Sequence, residues 1–246
     1  MAEVLITLGI IGVVAALTLP SVIHKYQTEV LKNQFEKSYS SLAQAVLQAR
    51  EEVGVANFKL YCTIYNEKGY VNSGECSRAI FNQLKFSGQT CNYNRNEIYT
   101  YSKTQKGAFI DIGATATPHR GLPDGTCANV IINGGTLGIS VDINGYAKGP
   151  NALGHDIFSF WVDNNDVLKP IKSSGYKDDD ELDKMIEECG TDNYRNSPCA
   201  SRAMQAGSPC SVKSNQKGNG LGCSWYALND ISPDNPTKGY WESLPR

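Results

Sequence analysis

Three sets of residues have types and spacings that could do chemistry. The first is the stretch Asp142-Ile-Asn144-Gly145-Tyr-Ala-Lys-Gly149-Pro150-Asn151-Ala-Leu-Gly154-His155-Asp156. The side-chain oxygens of Asp142, Asn144, Asn151 and Asp156 suit a hard cation such as calcium, which takes several carboxylate, amide and carbonyl ligands. They converge if the loop folds back on itself. The stretch opens like an EF-hand loop, but the twelfth position is Leu153 where that loop needs Glu, so an EF-hand is excluded. The same residues also form Asn-Gly and Gly-Pro turns closed by side-chain-to-backbone hydrogen bonds, and both readings stand.

The second set is eight cysteines: Cys62, Cys76, Cys91, Cys127, Cys189, Cys199, Cys210 and Cys223. None forms a C-x-x-C pair, so zinc-ribbon and thioredoxin spacings are missing. An even number scattered through loop-like sequence predicts disulfides made in an oxidising compartment, the alternative being free buried thiols. Proximity in the chain suggests Cys62–Cys76, Cys189–Cys199 and Cys210–Cys223. The third set is one residue, Glu3, a carboxylate abutting an apolar run, where a charge is costly unless paired or interfacial.

Enzyme signatures are missing. There is no G-x-S-x-G, H-E-x-x-H or Walker A pattern. Gly218, Gly220 and Gly222 do not open a helix after a strand. His24, His119 and His155 lie far apart and read as surface or turn residues. The chain is therefore read as a non-enzyme. A net charge of −2 leaves no basic footprint, so no nucleic-acid partner is expected.

The elements that must hold these residues begin with a helix. Val4 to Ile23 carries no charge and is 20 residues long, about 30 Å as a helix, one hydrocarbon core. No basic stretch precedes it and no small-residue cleavage site ends it, unlike a signal peptide. From Lys25 to Val53, Leu31, Phe35, Tyr39, Leu42, Val46 and Val53 recur at helical spacing between charged residues. One helix of about 50 residues is expected, apolar all round and then one-sided, stopping at Gly54. Pro20 should kink or loosen it. A short helix is expected near Ser77–Leu84. Strands follow at Ala108–Ile112, Asn129–Asn133, Leu137–Ile143, Ile157–Val162 and Val167–Ile171, with a hairpin at Gly134-Gly135 and a turn at Asp163–Asp166. They make an antiparallel meander with one face free for a helix. Short helices are expected from Asp178 to near Cys189 and from Ser197-Pro198. The remainder is Gly-, Ser-, Asn- and Pro-rich and lacks apolar residues for a core of its own.

The stretch Ala2 to Pro20, AEVLITLGIIGVVAALTLP, resembles the N-terminal segment of type IV pilins and type II secretion pseudopilins. In that resemblance Glu3 takes the place of the family's glutamate and Pro20 that of its helix-breaking proline. The resemblance implies an α+β fold. A long helix, half transmembrane and half amphipathic, packs on an antiparallel sheet. Three regions are expected: a membrane or filament-core segment 1–24, a pilin-like globular domain 25–172, and a cysteine-rich irregular region 173–246. It implies a structural subunit of a type IV pilus or related filament, with Glu3 guiding assembly by neutralising a neighbour's N-terminal amine.

The implied partners are identical or related pilin subunits, an inner-membrane assembly platform, and a prepilin peptidase if a leader lies upstream of Met1. The implied location is the inner membrane, single-pass, with an extracytoplasmic C-terminal domain, then a surface or periplasmic filament. Major pseudopilins carry a calcium site in a loop of their sheet domain, to which the Asp142–Asp156 stretch is loosely similar; no other cofactor is implied. The large cysteine-rich region favours a pilin, and this loop favours a secretion pseudopilin. The remaining readings are a membrane-anchored binding protein that never polymerises and an anchored hydrolase with an unrecognised site.

Overall fold

The computed structural model describes residues 2–67, 69–93, 97–107, 119–133, 135–172, 209–216 and 218–245. Helix α1 (Ala2–Val53) runs unbroken through Pro20, which neither ends nor divides it. Two hydroxyls near the proline bond back into the helix: Thr18 Oγ1 donates to the Val14 carbonyl and Ser21 Oγ to that of Thr18, each at 2.9 Å. The apolar half therefore presents few unsatisfied polar groups. The helix stops at Gly54, whose positive φ of 73° lets the chain turn away. Helix α1 is long and apolar enough to cross a membrane, and its most apolar stretch is unburied.

After α1 come α2 (Phe58–Cys62), a small ribbon β1 (Tyr65–Asn66) and β2 (Gly69–Tyr70), and α3 (Ser73–Gln83). Six strands follow: β3 (Thr90–Cys91), β4 (His119–Gly121), β5 (Cys127–Asn133), β6 (Thr136–Asp142), β7 (Ile157–Val162) and β8 (Leu168–Pro170). They pair in chain order, each antiparallel to its neighbour. Asn133 pairs with Thr136, which makes the β5–β6 connection a two-residue hairpin. The fold is α+β. The two-residue strands β1, β2 and β3 and the three-residue β4 are too short to leave an alternating pattern, and were not expected. The expected strand Ala108–Ile112, the helices ending near Cys189 and starting at Ser197, and the pair Cys189–Cys199 lie outside the described residues.

The core forms where the one-sided half of α1 meets the sheet. Phe35, Leu42 and Val46 are buried, with Leu31, Tyr39 and Val53 packed beside them. Leu137, Ile139 and Val141 of β6 and Phe158, Phe160 and Val162 of β7 face this stripe with the period of two that a strand imposes. The Phe35 ring lies edge-on to Phe158, centroids 4.5 Å apart. Ala45 and Ala49 are buried too, where small side chains let helix and sheet approach.

The turn Asp163–Asp166 does more than reverse the chain. Buried Asp166 accepts from the N–H groups of Phe58 (2.9 Å) and Lys59 (2.8 Å), so it caps α2 across the fold.

Residues 209–245 have no core of their own and join the main one. They form a 3-10 turn (Leu221–Cys223), helix α4 (Ser224–Asn229) and a second 3-10 turn (Trp241–Ser243). Trp241 packs 5.5 Å from Phe35 and 5.8 Å from Phe158. Ser224 Oγ accepts from the Ser159 N–H and donates to its carbonyl, continuing the sheet edge beyond β8.

Among the described residues every cysteine is paired, as Cys62–Cys76, Cys91–Cys127 and Cys210–Cys223. The first and last match the expected local pairs. Cys91–Cys127 closes 36 residues and staples β3 to β5, a proximity that only the sheet creates.

Candidate metal centre

Asp142 ends β6 and Asp156 directly precedes β7, so the β6–β7 pairing sets the two loop ends side by side. The Ile143 N–H donates to the Asp156 carbonyl at 2.8 Å and closes the loop's neck. Both carboxylates are 0% exposed.

Asp142 Oδ1 accepts from the N–H groups of Asn144 (3.1 Å) and Gly145 (2.8 Å), an Asx turn. Its Oδ2 accepts from the Tyr93 hydroxyl. Asp156 Oδ2 accepts from the Asn151 N–H (2.8 Å) and from Asn144 Nδ2 (3.3 Å), and its Oδ1 from the Ala152 N–H (2.7 Å). The Asn144 side chain thus joins the two halves of the loop. Its Nδ2 also donates to the Gly149 carbonyl at 3.3 Å, while Asn151 Nδ2 donates to that of Tyr146 at 3.0 Å.

Those amide bonds turn the side-chain carbonyls the other way. Asn144 Oδ1 and Asn151 Oδ1 are buried and accept no hydrogen bond. A buried acceptor without a partner costs on the order of 1–3 kcal/mol, and here there are two in one loop. Burial, then the Asp156 charge, raises the Asp142 pKa; burial raises that of Asp156. The loop therefore holds two carboxylates that resist joint ionisation and two amide oxygens without donors. Oxygen donors of this kind match a hard divalent cation, which supplies positive charge to the acids and a partner to the amides. Among the described residues no three of His, Cys, Asp or Glu gather, so this centre is built for oxygen ligation.

The four residues singled out in the sequence, Asp142, Asn144, Asn151 and Asp156, do come together in one loop. The Asx turn and the Asn-Gly turn are present as well, so both readings of the stretch hold at different atoms. Tyr93, which bonds Asp142 from 49 residues away, left no sequence signal. Neighbouring His155 corrects an expectation: it is buried, not at the surface. Its Nε2 lies 2.9 Å from the Tyr101 carbonyl, and burial, then the Lys103 charge, pushes its pKa down to about 3.

Glu3 and Pro20 belong to α1, Glu3 in its first turn. Pro20 borders a cleft of about 400 Å³ between α1 and a rim that includes Lys103, Pro150, His155 and Leu244, so the loop tip overhangs the helix where its apolar half ends. Comparisons with protein-family models, curated proteins and solved structures found no match to this chain.

Proposed function

We propose that the chain is a structural subunit of a type IV pilus or pilus-like filament. It is anchored in a membrane by its first 24 residues and transferred on assembly to a bundle of sister helices. One observation carries this reading: a single helix whose second half is built into the domain core while its first half is apolar and uncovered, with Leu17 75% and Ile11 64% exposed. Such a rod is stable in lipid or against other apolar rods. Gly9 and Gly12 have open space at their α-carbons, which permits close helix approach. The resemblance over Ala2 to Pro20 supports the same reading and gives Glu3 its role: a buried carboxylate needs a counter-charge, and a neighbour's N-terminal amine supplies one while setting register.

The test is replacement of Glu3 by Ala and by Gln in the full-length chain, with sheared surface filaments counted by electron microscopy. Filament loss at unchanged membrane abundance is expected. If the native chain forms no filaments and both variants behave like it, a non-polymerising membrane-anchored binding protein replaces this reading. Filaments that stay periplasmic beside a secretin point to a type II secretion pseudopilin.

A second reading concerns the Asp142–Asp156 loop, which we infer to bind a calcium-class divalent cation. The two donorless amide oxygens beside paired buried carboxylates favour it over a loop closed by hydrogen bonds alone. Calorimetric titration of the full-length protein in detergent with calcium chloride tests it: saturable binding is expected, and its absence refutes the reading.

A further inference from the structure

The loop that carries the four oxygen donors also carries the docking points of the C-terminal segment 209–245. Asp156 pins the N–H groups of Asn151 and Ala152. The next two residues make the contact. Leu153 lies so close to Gly220 that a methyl group on that glycine would come within 2.4 Å of its Cβ. A methyl group on Gly154 would come within 2.7 Å of Cys223 Sγ, half of the Cys210–Cys223 disulfide. The Gly154 carbonyl accepts from the hydroxyl of fully buried Tyr240.

A second strand of contacts runs beside the first. The Tyr99 N–H donates to the Asn151 carbonyl at 3.0 Å, and the Leu153 N–H to the Tyr99 carbonyl at 2.9 Å. Two residues on, the Tyr101 N–H donates to the Asn219 carbonyl at 2.9 Å. Docking residues 153 and 154 therefore sit between the donor residues 151 and 156 on one short stretch.

We propose that divalent-cation occupancy of the Asp142–Asp156 loop controls how firmly the C-terminal cystine segment is held on the domain. This rests on the cation reading above. Without a cation, residues 151–156 fold around two facing buried acids and unpartnered amide oxygens, and opening the loop lets all four regain water. Opening displaces Leu153 and Gly154, and the segment locked on them goes with it. A ligand that binds only the closed loop lowers the open population by a factor of 1 + [L]/Kd, about 100-fold at 100 times Kd.

The experiment is hydrogen–deuterium exchange of the full-length protein in detergent, in calcium chloride and in chelator, with calorimetry on the same sample. Amides of residues 219–241 are expected to exchange up to about 100-fold more slowly at 100 times Kd, while amides of α2 and α3 that open locally change little. Asn144→Ala, which removes one donorless oxygen and keeps the backbone bonds to Asp142, should shift binding and protection to higher calcium together. Asp156→Asn should abolish both. Calcium that binds by calorimetry yet leaves residues 219–241 exchanging as in chelator overturns the coupling and spares the cation reading. No calcium binding at all overturns both.

Discussion

Asp142 and Asp156 each take three hydrogen-bond donors from the protein, yet their pKa values stand above the ordinary carboxylate range. Burial outweighs the bonds. The pair titrates together between about 6 and about 7, against about 4 in the unfolded chain. A raised carboxylate pKa means that the folded state keeps protons the unfolded state has released. The pair's contribution to stability is therefore greatest below about pH 4 and falls as pH rises through about 7. Calcium should offset that loss, so the gain in Tm on adding calcium should grow from pH 5 to pH 8. At 100 times Kd and pH 8 it should reach about 2.7 kcal/mol, roughly 5–10 °C for a protein of this size. Scanning fluorimetry with calcium and with chelator checks this. A gain that shrinks with rising pH contradicts it. The residue types of this site were legible in the sequence because all four donors sit within one short stretch. The Tyr93 contact was not, because it crosses from another segment.

At the scale of elements, α1 is one helix serving two surroundings, and its halves should tolerate different changes. Leu17 points away from the domain and is 75% exposed. Leu17→Lys should leave the domain folded but add roughly 2.5–3.5 kcal/mol to membrane insertion. The expected result is loss of membrane retention and of filaments, with the thermal transition of the domain unchanged. Membrane fractionation beside circular dichroism reads both. If the variant fractionates as the native chain does, the proposed role of residues 1–24 fails. The helix was readable from sequence because its charge-free run, its apolar stripe and its stop at Gly54 are all local patterns. The short strands β1 to β4 were not, since strands of two or three residues are defined by their partners.

At the scale of the whole molecule, Phe35 joins three parts of the chain. Its ring meets Phe158 and Phe160 of the sheet, and Trp241 of the C-terminal segment. Phe35→Ala should therefore loosen all three together and cost about 3–5 kcal/mol. In urea the variant should unfold at lower denaturant as one transition, followed at once by tryptophan fluorescence and circular dichroism. Separate transitions for the two probes would show that residues 209–245 unfold apart from the sheet. The Cys62–Cys76 bridge closes a short loop, for which about 3 kcal/mol is typical. Replacing both cysteines by Ala should lower the urea midpoint by that amount, and unchanged stability would contradict a bracing role for the bridge.

The sequence by itself determined the long helix with its uncovered half, the core stripe led by Phe35, Leu42 and Val46, the middle strands of the meander, two local disulfides and the oxygen-rich loop. These depend on periodicity, on an absence of charge or on spacing within a few turns of chain. Tertiary structure alone decided that Cys91 meets Cys127 and that Asp166 caps α2. It also decided that His155 is buried, and that Tyr240 and Trp241 complete a core begun some 200 residues earlier. Each of these is a meeting of distant segments, and its position follows from how helix, sheet and C-terminal segment pack together.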